Sequence, residues 1–346
     1  MGVETPNPGA TWSRRRFLAS GMLPALLVPA LSRALTRPHV PRSSARPHEA
    51  QPAGKGARSG RSRGEQAARL TTPVSINGHG PYRFLVDTGA QRSVLAAELA
   101  VLLGLPRYPQ VLLQGIVRAL KTGEVQIDRL ATGSLVCTDL RVPILPRAML
   151  EADGYLGLDV LDGHRVDFDF KTHTLKIERP EGFFSALWTR SDQIRVRAQG
   201  DSGRLRSTDC HVDGVRATAF IDSGAEVSVC NTALFAALQH VKAPPTSLAP
   251  VQLSGVTGGT IVGTVTLIDT IRLPGLTFTA TPVVIADLRV FELWGLGHAP
   301  ALLIGMNCLR AFSSVSIDYA RKDVLFQVPS ALISPMSLAQ TDTQLG

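Results

Sequence analysis

The four cysteines, Cys137, Cys210, Cys230 and Cys308, form no C-x-x-C pair, and neither they nor the eight histidines take a metal-like spacing. HExxH is also missing, which removes the common zinc frames. His79, His164 and His173 stand in turn-like contexts. GVTGGT and GLGHAP are rich in glycine, but neither follows a strand and opens a helix as a phosphate loop does. DSGAEVS has no G-x-S-x-G frame and no histidine partner, which argues against a serine hydrolase. Nothing in the sequence therefore asks for a metal or a cofactor. A basic face is lacking too. Residues 1–70 hold 12 Lys/Arg against 3 Asp/Glu, which leaves 24 against 25 for the rest, so the net charge of +8 belongs to the N-terminal arm. Nucleic-acid binding would need a basic stripe on the fold itself. Long apolar runs are absent as well: Phe17 to Leu31 is short for a membrane span and is broken by Gly21, Pro24 and Pro29.

A chain of 346 residues with 44% hydrophobic content has enough apolar material for two cored domains. Its start is built like an export signal over residues 1–34, with SRRRFLA (Ser13 to Ala19) ahead of the apolar run. S-R-R-x-F-L resembles the bacterial twin-arginine signal, with Arg14 and Arg15 as the pair and Ala19 where that signal often has Lys. The resemblance implies export of an already folded chain, to the periplasm or beyond; an uncleaved signal would leave the protein anchored to the membrane. VPA ending at Ala30 and SRA ending at Ala34 are both acceptable cleavage sites. Residues 35–69 are rich in Arg, Pro, Gly, Ser and Ala and poor in large apolar residues, the composition of a flexible linker. A chain that folds before export does so in a reducing compartment, so the cysteines are expected as buried thiols, with Cys210 and Cys230 as the pair if any bridge forms.

From Leu70 the texture becomes short β-rich runs punctuated by turns, which predicts an all-β fold. The order of these runs then repeats. TTPVSI, the turn NGHGP and YRFLVDTGA are followed by a short helix, AAELAVLLGL; CHVDGVRATAFIDSGAEVSV is followed by NTALFAALQH. VLLQGIVRALKTGEVQIDRLATG corresponds to VQLSGVTGGTIVGTVTLIDTIRL, GYLGLDVL to ALLIGMNCL, and RVDFDFKTHTLKIE to SVSIDYARKDVLFQV. Two tandem lobes of one topology follow: residues 70–180 and 195–329, with a connector at 181–194 and a polar tail at 330–346. RVDFDFKTHTLKI is expected as a hairpin that closes the first lobe.

Each lobe repeats one motif: three apolar residues, then Asp, a hydroxyl residue, Gly and Ala. These are Asp87-Thr88-Gly89-Ala90 and Asp222-Ser223-Gly224-Ala225. The apolar run suits a buried strand, and an ionised carboxylate at its end is costly unless paired or hydrogen-bonded. A single copy would read as a capped turn. Two copies in equivalent lobes bring Asp87 and Asp222 together if the lobes pack about a two-fold axis. Two carboxyls at that range share one proton, so one acts as base and the other as acid toward a water that attacks a peptide bond. Ala90 and Ala225 cannot donate a hydroxyl to lower the pair's pKa, so activity is expected at mildly acidic to neutral pH.

On these residues the chain resembles the retropepsin-like aspartic proteases in a single-chain, two-lobe form, over about residues 70–328. The two triplets and the later Tyr155-Leu156-Gly157 and Leu303-Ile304-Gly305 carry the resemblance. It implies that Asp87 and Asp222 are catalytic, with Thr88, Gly89, Ser223 and Gly224 in support. Thr88 and Ser223 would interlock across the two-fold axis, and flaps would fall in QGIVRALKTGEV and SGVTGGTIVGTV, neither of which has an aromatic tip. The implied partner is an extended polypeptide, and a pseudo-symmetric chain needs no second subunit, so a monomer is expected. The rival function is a peptide-binding module that keeps the fold and does not cut. Asp167, Asp169, Asp213 and Asp318 fit strand or turn roles. ELWGLGHAP (Glu292 to Pro300) has no first-lobe counterpart and is either a surface insertion or part of a cleft wall.

Overall fold

The computed structural model describes residues 70–179, 193–201, 204–241 and 247–329. The expected signal, linker and tail, and the connector up to residue 192, lie outside the described residues. No helix among the described residues is long and apolar enough to cross a membrane.

The first lobe opens with β1 (Thr71–Ile76) and β2 (His79–Val86), joined by Asn77-Gly78. Both joining residues have positive φ, 50° and 82°. This is the two-residue turn whose twist matches a hairpin, and Asn-Gly adopts it at little cost. β3 (Val94–Ala96), α1 (Ala97–Leu102) and the long hairpin of β4 (Arg107–Gln114) and β5 (Ala119–Thr132) follow. Next come β6 (Leu135–Leu145), α2 (Arg147–Leu150), β7 (Gly154–Leu156), α3 (Leu158–Leu161) and the hairpin of β8 (Arg165–Asp169) and β9 (Thr174–Glu178). The main sheet runs β1-β2-β7-β3-β6-β5-β4, and β1 also pairs with β5, which partly closes the sheet on itself.

The second lobe adds two leading strands, β10 (Gln193–Arg197) and β11 (Gln199–Asp201), and then retraces the first. β12 (Arg204–Val212) and β13 (Val215–Ile221) are joined by Asp213-Gly214 in the same turn, with φ of 44° and 90°. β14 (Val229–Cys230), α4 (Thr232–Val241), β15 (Ser247–Ser254), β16 (Thr260–Leu273) and β17 (Leu276–Ile285) follow. The lobe ends with α5 (Arg289–Leu293), β18 (Ala301–Ile304), α6 (Met306–Leu309), β19 (Ser314–Asp318) and β20 (Asp323–Gln327). Its sheet order, β11-β12-β13-β18-β14-β17-β16-β15 with β12 also on β16, repeats the first lobe strand for strand after β11. The fold is all-β, with two tandem lobes of one topology.

The closing hairpins do more than finish their lobes. β8 pairs with β19, and the two hairpins with β10 form one sheet in the order β10-β20-β19-β8-β9. Asp167 faces Ser316 near the middle of the β8–β19 ladder, and the Ser316 hydroxyl donates to the Asp167 carboxylate. Alternate residues Val166, Phe168, Val315, Ile317, Val324 and Phe326 of this sheet are buried, and burying each such side chain contributes about 1.5–3 kcal/mol. The lobes are thus stitched by backbone pairing and a shared apolar face. All four cysteines are free thiols; Cys210, Cys230 and Cys308 are buried and Cys137 is half-buried. No Cys210–Cys230 bridge forms.

Candidate active site

β2 ends in Phe84, Leu85 and Val86, all buried, because β7 and β1 flank it in a sheet covered on both faces. β7 runs parallel to β2, with Val86 opposite Leu156, and the Asp87 N–H donates to the Leu156 carbonyl at 3.0 Å. β13 and β18 repeat this: Ile221 lies opposite Ile304, and the Asp222 N–H donates to the Ile304 carbonyl at 3.0 Å. The Gly that ends each apolar pair has no room for a side chain. A Cβ on Gly157 would come within 2.6 Å of the Arg92 backbone, and one on Gly305 within 2.6 Å of the Val227 carbonyl. Their N–H groups donate to the hydroxyls of Ser93 and Ser228, both at 3.0 Å. Those serines are anchored in turn on Asp159 and Asn307.

The two triplets meet at the lobe boundary and lock reciprocally. The Thr88 N–H donates to the Ser223 hydroxyl at 3.2 Å, and the Ser223 N–H donates to the Thr88 hydroxyl at 2.8 Å. The Thr88 hydroxyl donates on to the Ile221 carbonyl at 3.1 Å, and the Ser223 hydroxyl to the Val86 carbonyl at 2.8 Å. Each hydroxyl therefore accepts from one lobe's turn and donates to that lobe's strand end, which ties β2 to β13.

The carboxyls sit above this lock. Asp87 Oδ1 accepts from the N–H groups of Gly89 and Ala90 at 3.0 and 2.9 Å, and Asp222 Oδ1 accepts from Gly224 at 2.8 Å. Each also presses on the opposite glycine. A Cβ on Gly89 would lie 2.7 Å from Asp222 Cγ, and one on Gly224 2.5 Å from Asp87 Cγ. Asp222 is 6% exposed and Asp87 half-buried. Burial pushes the Asp222 carboxyl far above the usual carboxylate range; the adjacent Asp87 charge and a hydrogen bond between the two carboxyls add to the rise, against the pull of the Gly224 and Ala225 N–H groups. A carboxyl held neutral beside a partner carboxylate is the arrangement in which one acid can donate while the other accepts.

The segments expected as flaps form the tips of the β4–β5 and β15–β16 hairpins, and the tips touch each other. Arg118 Nε donates to the Thr257 carbonyl at 3.0 Å, and the Thr257 hydroxyl donates to the Arg118 carbonyl at 2.7 Å. Thr257 is fully buried, and a Cβ on Gly115 would collide with its hydroxyl. The first tip is braced from behind as well. The Arg289 N–H donates to the Ile116 carbonyl at 2.9 Å, and its guanidinium to the Gln114 side chain at 3.2 Å. The ELWGLGHAP segment begins in this arginine's helix, and its Trp294 and Leu296 pack against an apolar cluster of the second lobe. Trp294 packs on Phe220 at a ring separation of 4.3 Å, two residues before Asp222, and meets Phe291 edge-on.

All six residues singled out in the triplets therefore come together in one place. Sequence reasoning missed the Ser93/Asp159 and Ser228/Asn307 braces, although Ser93 and Ser228 stand at matching positions after the triplets and could have been found by extending the repeat. It also missed Arg118, Thr257 and Arg289, whose contacts cross the lobes and leave no mark in either half alone. Asp167, Asp169, Asp213 and Asp318 serve structure: Asp167 accepts from the Ser316 hydroxyl, Asp169 accepts turn N–H groups, Asp213 accepts from the Thr270 N–H of β16, and Asp318 pairs with Arg321 at 2.7 Å.

Residues 72–160 and 208–308 match the family described as Aspartyl protease, one stretch in each lobe, and the chain belongs to this family. It is 31% identical over 151 residues to DNA damage-inducible protein 1 of Kluyveromyces lactis, covering 38% of this chain and 35% of that one. The protein of the same name from Cryptococcus neoformans is 29% identical over 129 residues, covering 36% and 29%. The chain thus spans about a third of the length of these curated relatives. Among solved structures, a retropepsin-like aspartic protease from Rickettsia conorii aligns with a TM-score of 0.27 at 14% identity, over 39% of this chain and 90% of that one.

Proposed function

We propose that this chain is an aspartic endopeptidase in which Asp87 and Asp222 share one proton and activate a water against a peptide carbonyl. The observation that carries the reading is the reciprocal Thr88–Ser223 lock beneath two carboxyls pressed onto each other's glycines. The ionised carboxylate takes a proton from the water as its oxygen bonds to the carbonyl carbon, and the protonated partner donates to the carbonyl oxygen. Collapse of the resulting diol breaks the C–N bond, and the departing nitrogen leaves with a proton from the pair. The carboxyls titrate as a unit, so acid and base belong to the pair.

The substrate is an extended polypeptide recognised through strand-like backbone hydrogen bonds. The protein acts as a monomer. The twin-arginine-type stretch at Arg14 and Arg15 supports export to a bacterial periplasm or beyond, on a linker of residues 35–69. A reporter fused behind residues 1–34, scored with and without Arg14→Lys/Arg15→Lys, tests that part alone.

The catalytic reading is tested on purified protein with a peptide library, with and without a hydroxyl-bearing transition-state mimic, beside Asp87→Asn and Asp222→Asn. Cleavage that disappears in both variants and with the mimic is expected. Cleavage surviving either substitution rejects the pair. Peptide capture by every form without cleavage favours the binding module, which the absence of an aromatic residue at either flap tip also supports.

A further inference from the structure

Tyr319 follows β19 directly, and its N–H donates to the His164 carbonyl at 3.0 Å. Phe170 follows β8 in the same way, and its N–H donates to the Ser313 carbonyl at 3.0 Å. Both donors and both acceptors match across the repeat at one offset, Phe170 with Tyr319 and His164 with Ser313. The two rings are therefore two-fold mates, one phenyl and one phenol. Tyr319 is 4% exposed, and its hydroxyl is buried with no partner in full hydrogen-bonding geometry among the described residues. An unsatisfied buried hydroxyl destabilises the fold that holds it. Phenylalanine at this site would avoid that cost, as it does in the first lobe.

The phenol is within interaction range of the triplets. Thr88 interacts with its hydroxyl, short of ideal geometry, and Asp87 and Asp222 are the charged groups that act on it; the adjacent Asp318 is engaged by Arg321. Thr88 Oγ1 donates to the Ile221 carbonyl and accepts from the Ser223 N–H. A hydroxyl oxygen has two lone pairs, so one acceptor position on Thr88 remains. Burial holds the Tyr319 hydroxyl well above the usual phenol range, with the Asp87 and Asp222 charges adding to the rise, so it stays protonated and able to donate.

Given Asp87 and Asp222 as the catalytic pair, we propose that Tyr319 is a positioning residue: its hydroxyl donates to Thr88 Oγ1, orients the lock, and makes the two carboxyls electrostatically inequivalent. No matching hydroxyl serves Ser223, because the mate is Phe170. The positive end of the phenol's O–H bond points toward the carboxyls and favours their ionised form.

Tyr319→Phe installs the ring that the first lobe already carries, so the fold is expected to survive. The variant should lose about 2- to 10-fold in kcat, as one neutral hydrogen bond allows, with KM unchanged. Its pH–rate profile should move to higher pH, because a dipole favouring the charged pair is gone. Carbon-13 NMR titration of aspartate-labelled protein reads the same upward shift without turnover. A double-mutant cycle of Tyr319→Phe with Thr88→Val on urea unfolding should be non-additive. An unchanged carboxyl titration, or additivity in the cycle, overturns the inference. A coupling that leaves both kcat and the titration untouched overturns it too, since Tyr319 would then be structural only. If the unsubstituted chain cleaves no peptide, the proposed function fails while the titration and the cycle still decide Tyr319.

Discussion

Asp222→Asn should abolish activity and at the same time stabilise the protein near neutrality. Asn keeps the size of the side chain and an Oδ1 that can accept from the Gly224 N–H, an interaction of 2.8 Å in the native site. Its amide can donate to Asp87, so the variant imitates the pair with its shared proton in place. In the native chain, the folded-state pKa of Asp222 is raised by burial first and by the Asp87 charge second. Below the unfolded value of about 3.9 the residue is protonated in both states, and titration costs nothing. As pH rises past that value, the unfolded chain releases the proton while the folded chain retains it. Native stability then falls with a slope approaching roughly 1.4 kcal/mol per pH unit until the folded pKa is reached. Two units above the unfolded pKa, at about pH 6, the variant should be more stable than the native chain by roughly 2–3 kcal/mol. Urea unfolding of both proteins from pH 4 to pH 7 measures this: the two curves should converge near pH 4 and separate upward. A pH-independent difference, or a variant less stable at pH 6, would refute the shared proton. Peptide cleavage by the same sample should fall below detection, a loss of at least about 10²-fold, the usual worth of a general acid–base group.

Gly224→Ala places a Cβ 2.5 Å from Asp87 Cγ; displacement of the carboxyl should cost about 1–3 kcal/mol in urea unfolding and remove most activity. Thr88→Val, similar in shape, leaves the Ser223 N–H without its acceptor and the Ile221 carbonyl without its donor, and a loss of about 1–3 kcal/mol is expected; a neutral result would show the lock to be dispensable. Thr257→Val deletes the hydroxyl that donates to the Arg118 carbonyl, so hydrogen exchange at Ile116 to Arg118 and Val256 to Gly258 should accelerate together, with the lobe cores unchanged. A profile of cleavage against pH should peak well above pH 3.5, because Ala90 and Ala225 offer the pair no hydroxyl and Asp222 is raised; a maximum in strong acid would contradict both points.

The backbone of the site was readable because it is repeated. Asn77-Gly78 and Asp213-Gly214 announce the same turn, the apolar triples before Asp87 and Asp222 announce the same buried strand end, and Gly157 and Gly305 mark the same close approach. These are local demands of turn chemistry and burial, and they appear twice in one chain. Less was visible where partners come from different lobes. RVDFDFKTHTLKI read as a hairpin that ends one lobe, but β8 lies between β9 and β19 in a sheet that both lobes share. ELWGLGHAP had no counterpart to interpret it, and only the structure shows its Trp294 packed on Phe220.

By itself, the sequence determined the all-β class, the duplication and the residues that face one another, since strand periodicity, turn residues and a repeated motif are written in order along the chain. Tertiary structure alone decided which hydroxyl accepts from which N–H, that Arg118 meets Thr257, and that the hydroxyl of Tyr319, at the position matching Phe170, is buried. Those contacts depend on how two curved sheets dock. A distance set by docking is a sum over many side chains and has no signature at any single position.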